Sequence, residues 1–428
     1  MQRYELSRLP TGERVISEHV PSVRSVSVGF WIGTGSRDET EARAGVSHFI
    51  EHLLFKGTSA HTAQEIAEIF DELGGELNAA TSRETTLLYA RVPDDRLDTA
   101  LDVLVGMVYD PVFADVDAER EVVLEEFAMV DDNPQDLVHD VVAEAVFGGH
   151  PLGRPVIGRA EVISTVSRRA LATYHRAAYA HDNVVVAAAG NVTHERLLEL
   201  LAARVPPTEA PPRRARKPFG RSPSPGYRFT RRPTEQSHVC LGAPGISRTD
   251  ERRFAASLLD SILGGSASSR LFQEIREKRG MAYSVYSFAS QYADSGQVGL
   301  YVGTREENLV PCLEIVAREL GDVAEGNVRP GELERAQENL KGRLLLSLES
   351  TSNRMSRLGK ALVTGAELLS LEEIVARIDA VTSADVAAVA GELLRLDRLS
   401  AAGIGPSEAR FRAAVQRVNP ALVGRRAA

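Results

Sequence analysis

Eight prolines and a cluster of arginines crowd the stretch from Val205 to Pro233 (VPPTEAPPRRARKPFGRSPSPGYRFTRRP), with almost no aliphatic residue among them. A segment of that composition cannot bury enough apolar surface to fold by itself, so it reads as a linker. It divides the chain into an N-terminal domain over residues 1–210, a Pro/Arg-rich linker over 211–232 and a C-terminal domain over 233–428. At 428 residues the chain is also too long for one ordinary core.

The two halves read as diverged copies. Leu97-x3-Leu101-x-Val103 in the first recurs as Leu309-x3-Leu313-x-Ile315 in the second, each followed by a charged helix start. Each half also opens on a β-like run: Val26, Val28, Phe30 and Ile32 alternate in one, and Val239-Cys240-Leu241 begins the other. Strands interleaved with helical periods predict two α/β sandwiches.

Several function classes recede on composition. A net charge of −9 opposes a nucleic-acid partner, which needs a basic surface. No stretch approaches the roughly 18 apolar residues of a membrane span, and Met1 to Val15 has no apolar run of signal-peptide length. The expectation is a cytoplasmic protein without a membrane partner. Cys240 and Cys312 cannot build a disulfide framework and lack CxxC spacing, so both are expected to be small buried residues.

The chemistry is concentrated in Gly45 to Phe55 (GVSHFIEHLLF). Val46, Phe49, Ile50, Leu53 and Leu54 follow the i, i+3, i+4, i+7, i+8 stripe of a core-facing helix. His48, Glu51, His52 and Phe55 form a second stripe, so both imidazoles and the carboxylate share a face distinct from the core. Two imidazoles one helical turn apart can both reach one zinc ion at about 2.0–2.1 Å. A carboxylate one residue before the second His then sits beside the metal, in reach of a bound water. HxxEH is the inversion of the commoner HExxH.

Two histidines leave a catalytic site in need of a third ligand. Asp117 to Val130 (DAEREVVLEEFAMV) predicts a helix on which Glu119, Val122, Val123, Glu126 and Val130 share one face. Carboxylates interleaved with an apolar stripe are costly to bury unpaired, and coordination by Glu126 would remove that cost. Glu119, two turns earlier, could orient a metal-binding histidine. Glu125 points about 100° away and reads as surface. His139 and His150 read as structural or surface residues and are not assigned to the metal.

Together these residues resemble the pitrilysin family of inverted-motif zinc peptidases, in particular its half-length branch, which includes mitochondrial processing peptidase and bacterial relatives. Glu126 stands some 74 positions after His52, where that family places its ligand, and Glu119 matches the supporting acid. The resemblance continues through Phe55-Lys56-Gly57-Thr58, Asn78-Ala79-Ala80-Thr81 and His150-Pro151-Leu152-Gly153-Arg154. It resumes at Ser268-Ser269-Arg270-Leu271-Phe272 and from Arg276 to Ser284 (REKRGMAYS).

The resemblance implies an α+β fold of two similar halves, each a mostly antiparallel sheet packed by helices, together forming half of a clamshell chamber. It implies Zn2+ held by His48, His52 and Glu126, with Glu51 as general base. Asn78 and Ala79 would lie on an edge strand to which a peptide substrate adds, and Tyr283 and Arg276 would approach the scissile peptide. The second half carries no HxxEH, so one chain offers one metal site. Relatives of this length pair, and the expectation is a homodimer in which Arg276 and Tyr283 complete the partner's active site. The rival reading is a non-catalytic peptide-binding or scaffold relative, against which the intact ligand set and base argue.

Overall fold

The computed structural model describes residues 4–207, 216–220 and 222–424, so positions 211–215 and 221 of the expected linker lie outside the described residues. One sheet holds β1 (Tyr4–Arg8), β2 (Arg14–His19), β3 (Ser25–Ile32), β4 (Glu76–Thr81), β5 (Thr86–Pro93) and β6 (Val184–Gly190), in the order β1-β2-β6-β3-β5-β4. The other holds β7 (Tyr227–Arg231), β8 (Ser237–Gly245), β9 (Ala282–Gln291), β10 (Gly296–Thr304) and β11 (Ser400–Gly405), in the order β7-β11-β8-β10-β9. Apart from β1, the wiring is the same. In each sheet the first strand lies parallel beside the last, and the second, fourth and third follow antiparallel. A shared wiring of that detail carries the duplication far better than the faint Leu/Val repeat.

The helices of the first half are α1 (Val46–Leu54), α2 (Ala63–Leu73), α3 (Leu97–Tyr109), α4 (Val116–Asp131) and α5 (Pro134–Phe147), followed by shorter ones. α1 to α4 pack on the face of the first sheet that presents Val26, Val28, Phe30 and Ile32. The opposite face presents Ile16, Trp31, Leu87, Val185 and Ala187, and Met355 and Leu358 of the helix Thr351–Thr364 cover it. Coverage on both faces explains why β6 (VVVAAAG) is an unbroken apolar run instead of an alternating one. Gly359 lets that helix lie flat on the sheet, since a Cβ there would run into the Trp31 indole.

The expected domain boundaries need correcting. One compact unit comprises Met1–Ala128, Arg154–Lys217 and Leu344–Ser370, and the other Met129–Gly153, Pro218–Arg343 and Leu371–Ala428. Each half of the chain thus gives a helical segment to the other unit. In the second unit, Val138, Val142 and Val146 of α5 pack on Cys240, Ala402 and Ile404. Apolar stripes on these helices are satisfied by a sheet distant in sequence, which composition does not register. The expected linker is also too long at its C-terminal end. Tyr227–Arg231 is β7, paired with β11, and Tyr227 and Phe229 pack on Phe411.

Cys240 and Cys312 are buried free thiols. Among the described residues, no helix is long and apolar enough to cross a membrane.

Candidate metal centre

α1 forms as its periodicity requires. Val46, Phe49, Ile50, Leu53 and Leu54 are all buried, which turns His48, Glu51 and His52 to the other side. The helix begins at Gly45 in the left-handed conformation (φ 99°), where a Cβ would collide with the Ile157 carbonyl. α4 differs from expectation on one point. Val116, Glu119 and Val123 are its buried residues, whereas Val122 is exposed. The two valines lie about 50° to either side of the Glu119–Glu126 line, and packing against the core covers only the Val123 side.

The two helices bring His48, His52 and Glu126 together, with one donor atom from each within 4.8 Å of the others. His48 Nε2 and His52 Nε2 each lie 3.5 Å from Glu126 Oε2. A tetrahedron with ligands at about 2.0–2.1 Å from its centre has edges of about 3.3–3.4 Å, so the donor spacing fits a metal better than it fits direct hydrogen bonds. Burial pushes His48 down to about 4, which leaves its imidazole neutral and its lone pair available at neutral pH.

His52 is held from behind. Its Nδ1 lies 2.9 Å from Glu119 Oε1, and Lys56 Nζ lies 2.6 Å from Glu119 Oε2. Donation of Nδ1–H to a carboxylate leaves Nε2 as the metal-facing lone pair. Lys56 follows His52 by four residues and lies just past the end of α1, which keeps it near the His52 side of the helix.

Glu51 has a buried Oε2 without a hydrogen-bond partner. Burial raises its carboxyl above the usual range and the Glu126 charge adds to this, while Thr81 at the end of β4 and His52 act in the opposite direction. β4 is an edge strand, paired only with β5 among the described residues. On it Asn78 is exposed, and its Oδ1 accepts the Ala79 N–H at 2.8 Å.

Arg276 and Tyr283 lie in the second unit and are brought together there. Arg276 sits in a π-helical turn, Phe272–Glu277, and its guanidinium lies 4.7 Å from the Phe272 ring and 4.3 Å from the Tyr283 ring. It also donates to the Tyr283 carbonyl at 3.3 Å. Tyr283 is 76% exposed. His139 packs beside the stacked Tyr286 and Tyr301 rings with its Nε2 2.8 Å from the Tyr286 hydroxyl, in keeping with a structural role.

A duplicated α/β chain carrying an inverted His-x-x-Glu-His centre with a distant carboxylate defines a class of metal-dependent hydrolase scaffolds. Residues 14–160 match the sequence profile of Insulinase (Peptidase family M16), and residues 165–340 match that of the Peptidase M16 inactive domain. A Streptomyces coelicolor protein named an uncharacterized zinc protease is 44% identical over 409 residues, covering 93% of this chain and 88% of its own. A Bacillus subtilis protein of the same description is 40% identical over 401 residues, covering 90% and 94%. The chain belongs to peptidase family M16. Two solved structures share the fold at 23% identity and a TM-score of 0.88, each covering 95% of this chain. One is a Helicobacter pylori protease, covered over 100% of its length, and the other a Pseudomonas fluorescens protein described as an M16 inactive domain, covered over 98%.

Proposed function

We propose that the chain is a zinc-dependent endopeptidase acting on short or unfolded polypeptides. The observation that carries this reading is the donor triangle of His48, His52 and Glu126 with the half-buried Glu51 carboxylate, whose buried Oε2 has no hydrogen-bond partner, beside it. The zinc protease names of relatives at 40–44% identity support the choice of metal. When bound, zinc supplies the Lewis acidity that brings the pKa of a coordinated water to about 7.

The remaining work falls to the chain's own groups. Glu51 takes the proton that the attacking water gives up and returns it to the departing amine, a role suited to a carboxylate whose basicity is raised by burial. Glu119 and Lys56 keep the His52 ring oriented. The peptide adds as a strand along β4, held by main-chain hydrogen bonds once the Asn78 side chain yields the Ala79 N–H. The second half lacks its own HxxEH, and we assign Arg276 and Tyr283 to the active site of a second copy in a homodimer. There Tyr283 donates to the developing oxyanion and Arg276 holds the Tyr283 backbone and ring.

Peptide-library cleavage by wild type and by Glu51→Gln tests the chemistry. The variant should keep its zinc and lose nearly all turnover, and unchanged cleavage would refute the mechanism. Mixing Glu51→Gln with Tyr283→Phe subunits tests the shared site, because activity returns only if one chain completes the other.

A further inference from the structure

The metal-binding helix starts without a cap of its own. Gly45 at the N-cap offers no side chain, and the first N–H groups of a helix have no partners within it. A residue from the preceding loop takes two of them. Glu39 Oε2 accepts the Gly45 N–H at 2.8 Å, and Oε1 accepts the Ser47 N–H at 2.7 Å. Both carboxylate oxygens are committed, and the second bond is made to the residue next to His48. Glu39 is only 5% exposed, so water cannot substitute for it.

The surroundings hold this arrangement in place. Arg154 Nη2 donates to the Glu39 carbonyl at 2.6 Å, and its charge favours the carboxylate. Tyr174, from the helix Arg168–Ala178, meets Ser47 Oγ at 3.1 Å through its hydroxyl. Asp38 and Arg43 act on Tyr174, and Glu41 and Arg159 act on Arg154, which completes the charged shell around the site.

We infer that Glu39 is a positioning residue for the metal centre, clamping the first turn of α1 so that His48 and His52 stay at metal-binding distance from Glu126. The inference rests on the zinc reading above. Zinc binding to a frayed α1 must first rebuild that turn, so a weaker clamp subtracts from metal affinity. Burial pushes the Glu39 carboxyl up to about 7. Above that pH the carboxylate accepts both N–H groups. Below it, one oxygen carries a proton and accepts poorly. Zinc affinity therefore gains a component that falls as the pH drops through about 7, and by linkage zinc binding favours loss of that proton.

Zinc affinity of the full chain, measured by competition with a chromophoric chelator from about pH 6 to 8.5, tests this without reference to turnover. Glu39→Gln presents one acceptor and one NH2 group, so one helix N–H must face a donor. It should bind zinc roughly tenfold more weakly at pH 8, and its affinity should depend less on pH than that of wild type. Glu39→Asp keeps the charge, so it should lose less affinity and retain the inflection. Affinities and pH profiles equal to wild type in both variants would overturn the inference, as would a weakened Glu39→Gln with an unaltered pH profile. If Glu39→Gln does not fold, an Asp variant indistinguishable from wild type overturns it. Wild type that binds no zinc would refute the zinc reading itself, a result distinct from equal affinities.

Discussion

Replacing Glu119 by glutamine removes the charge behind His52 while keeping the side chain's shape. The wild-type carboxylate receives His52 Nδ1 at 2.9 Å and Lys56 Nζ at 2.6 Å, and its side chain is 7% exposed, so solvent screens these contacts little. A hydrogen bond to a charged group contributes about 1.5–3 kcal/mol and a neutral one about 0.5–1.5 kcal/mol. The substitution therefore costs the histidine about 1–1.5 kcal/mol of orientation, which is roughly a tenfold loss of zinc affinity. Chelator competition reads the affinity, and circular dichroism checks that the fold is retained. Turnover per bound zinc should change far less than affinity, since Glu119 acts through His52. Lys56→Met should reproduce part of the effect, because it leaves Glu119 with His52 alone. A folded Glu119→Gln protein whose zinc affinity lies within twofold of wild type would refute the argument that His52 is positioned through this carboxylate.

Four further substitutions probe the scaffold. Arg270 is buried in the second unit, grips the half-buried Glu332 through Nε at 2.9 Å and Nη2 at 2.6 Å and lies 3.8 Å from the buried Glu319, so Arg270→Met takes a cation from two carboxylates and should cost about 3–5 kcal/mol in denaturant unfolding. A loss below about 1 kcal/mol would show that Arg329 holds Glu332 and Glu319 without it. Gly359→Leu should abolish soluble folded protein because the side chain meets the Trp31 indole, whereas Gly342→Ala, with nothing within 4 Å, should stabilise the helix Glu332–Ser347 by about 0.5–1 kcal/mol. His175, buried with Nε2 2.9 Å from the Val108 carbonyl, is pushed down to about 4. Its unfolded form binds the proton first, so His175 by itself should take about 3 kcal/mol from the apoprotein's stability as pH falls from about 6.5 to 4. His175→Gln should flatten that slope, and an equally steep one would assign it to other groups.

Much of the metal centre was legible because it is built on helical periodicity. The 3.6-residue repeat put His48, Glu51 and His52 on one face of α1 and away from its buried stripe. It also put Glu119 and Glu126 on one side of α4, but it could not show that Val122, equally near that side, is left exposed. Lys56 was within reach of the same reasoning. Glu39 was not, because its partners are main-chain N–H groups, which carry no residue-specific signal.

Local pattern thus determined which residues could bind a metal, since that depends on side-chain type and on spacing within single helices. It determined the alternation of β3 and the unbroken apolar run of β6 as well. Tertiary structure alone decided which helix each sheet would bury. Composition drew the domain boundary at the proline-rich segment, yet α5 and the helix Thr351–Thr364 pack on sheets built mainly from the other half of the chain. An apolar stripe records that a face must be buried and says nothing about what buries it. The same holds for the donor triangle. The sequence named His48, His52 and Glu126, but only the packing of α1 and α4 set their atoms 3.5 Å apart.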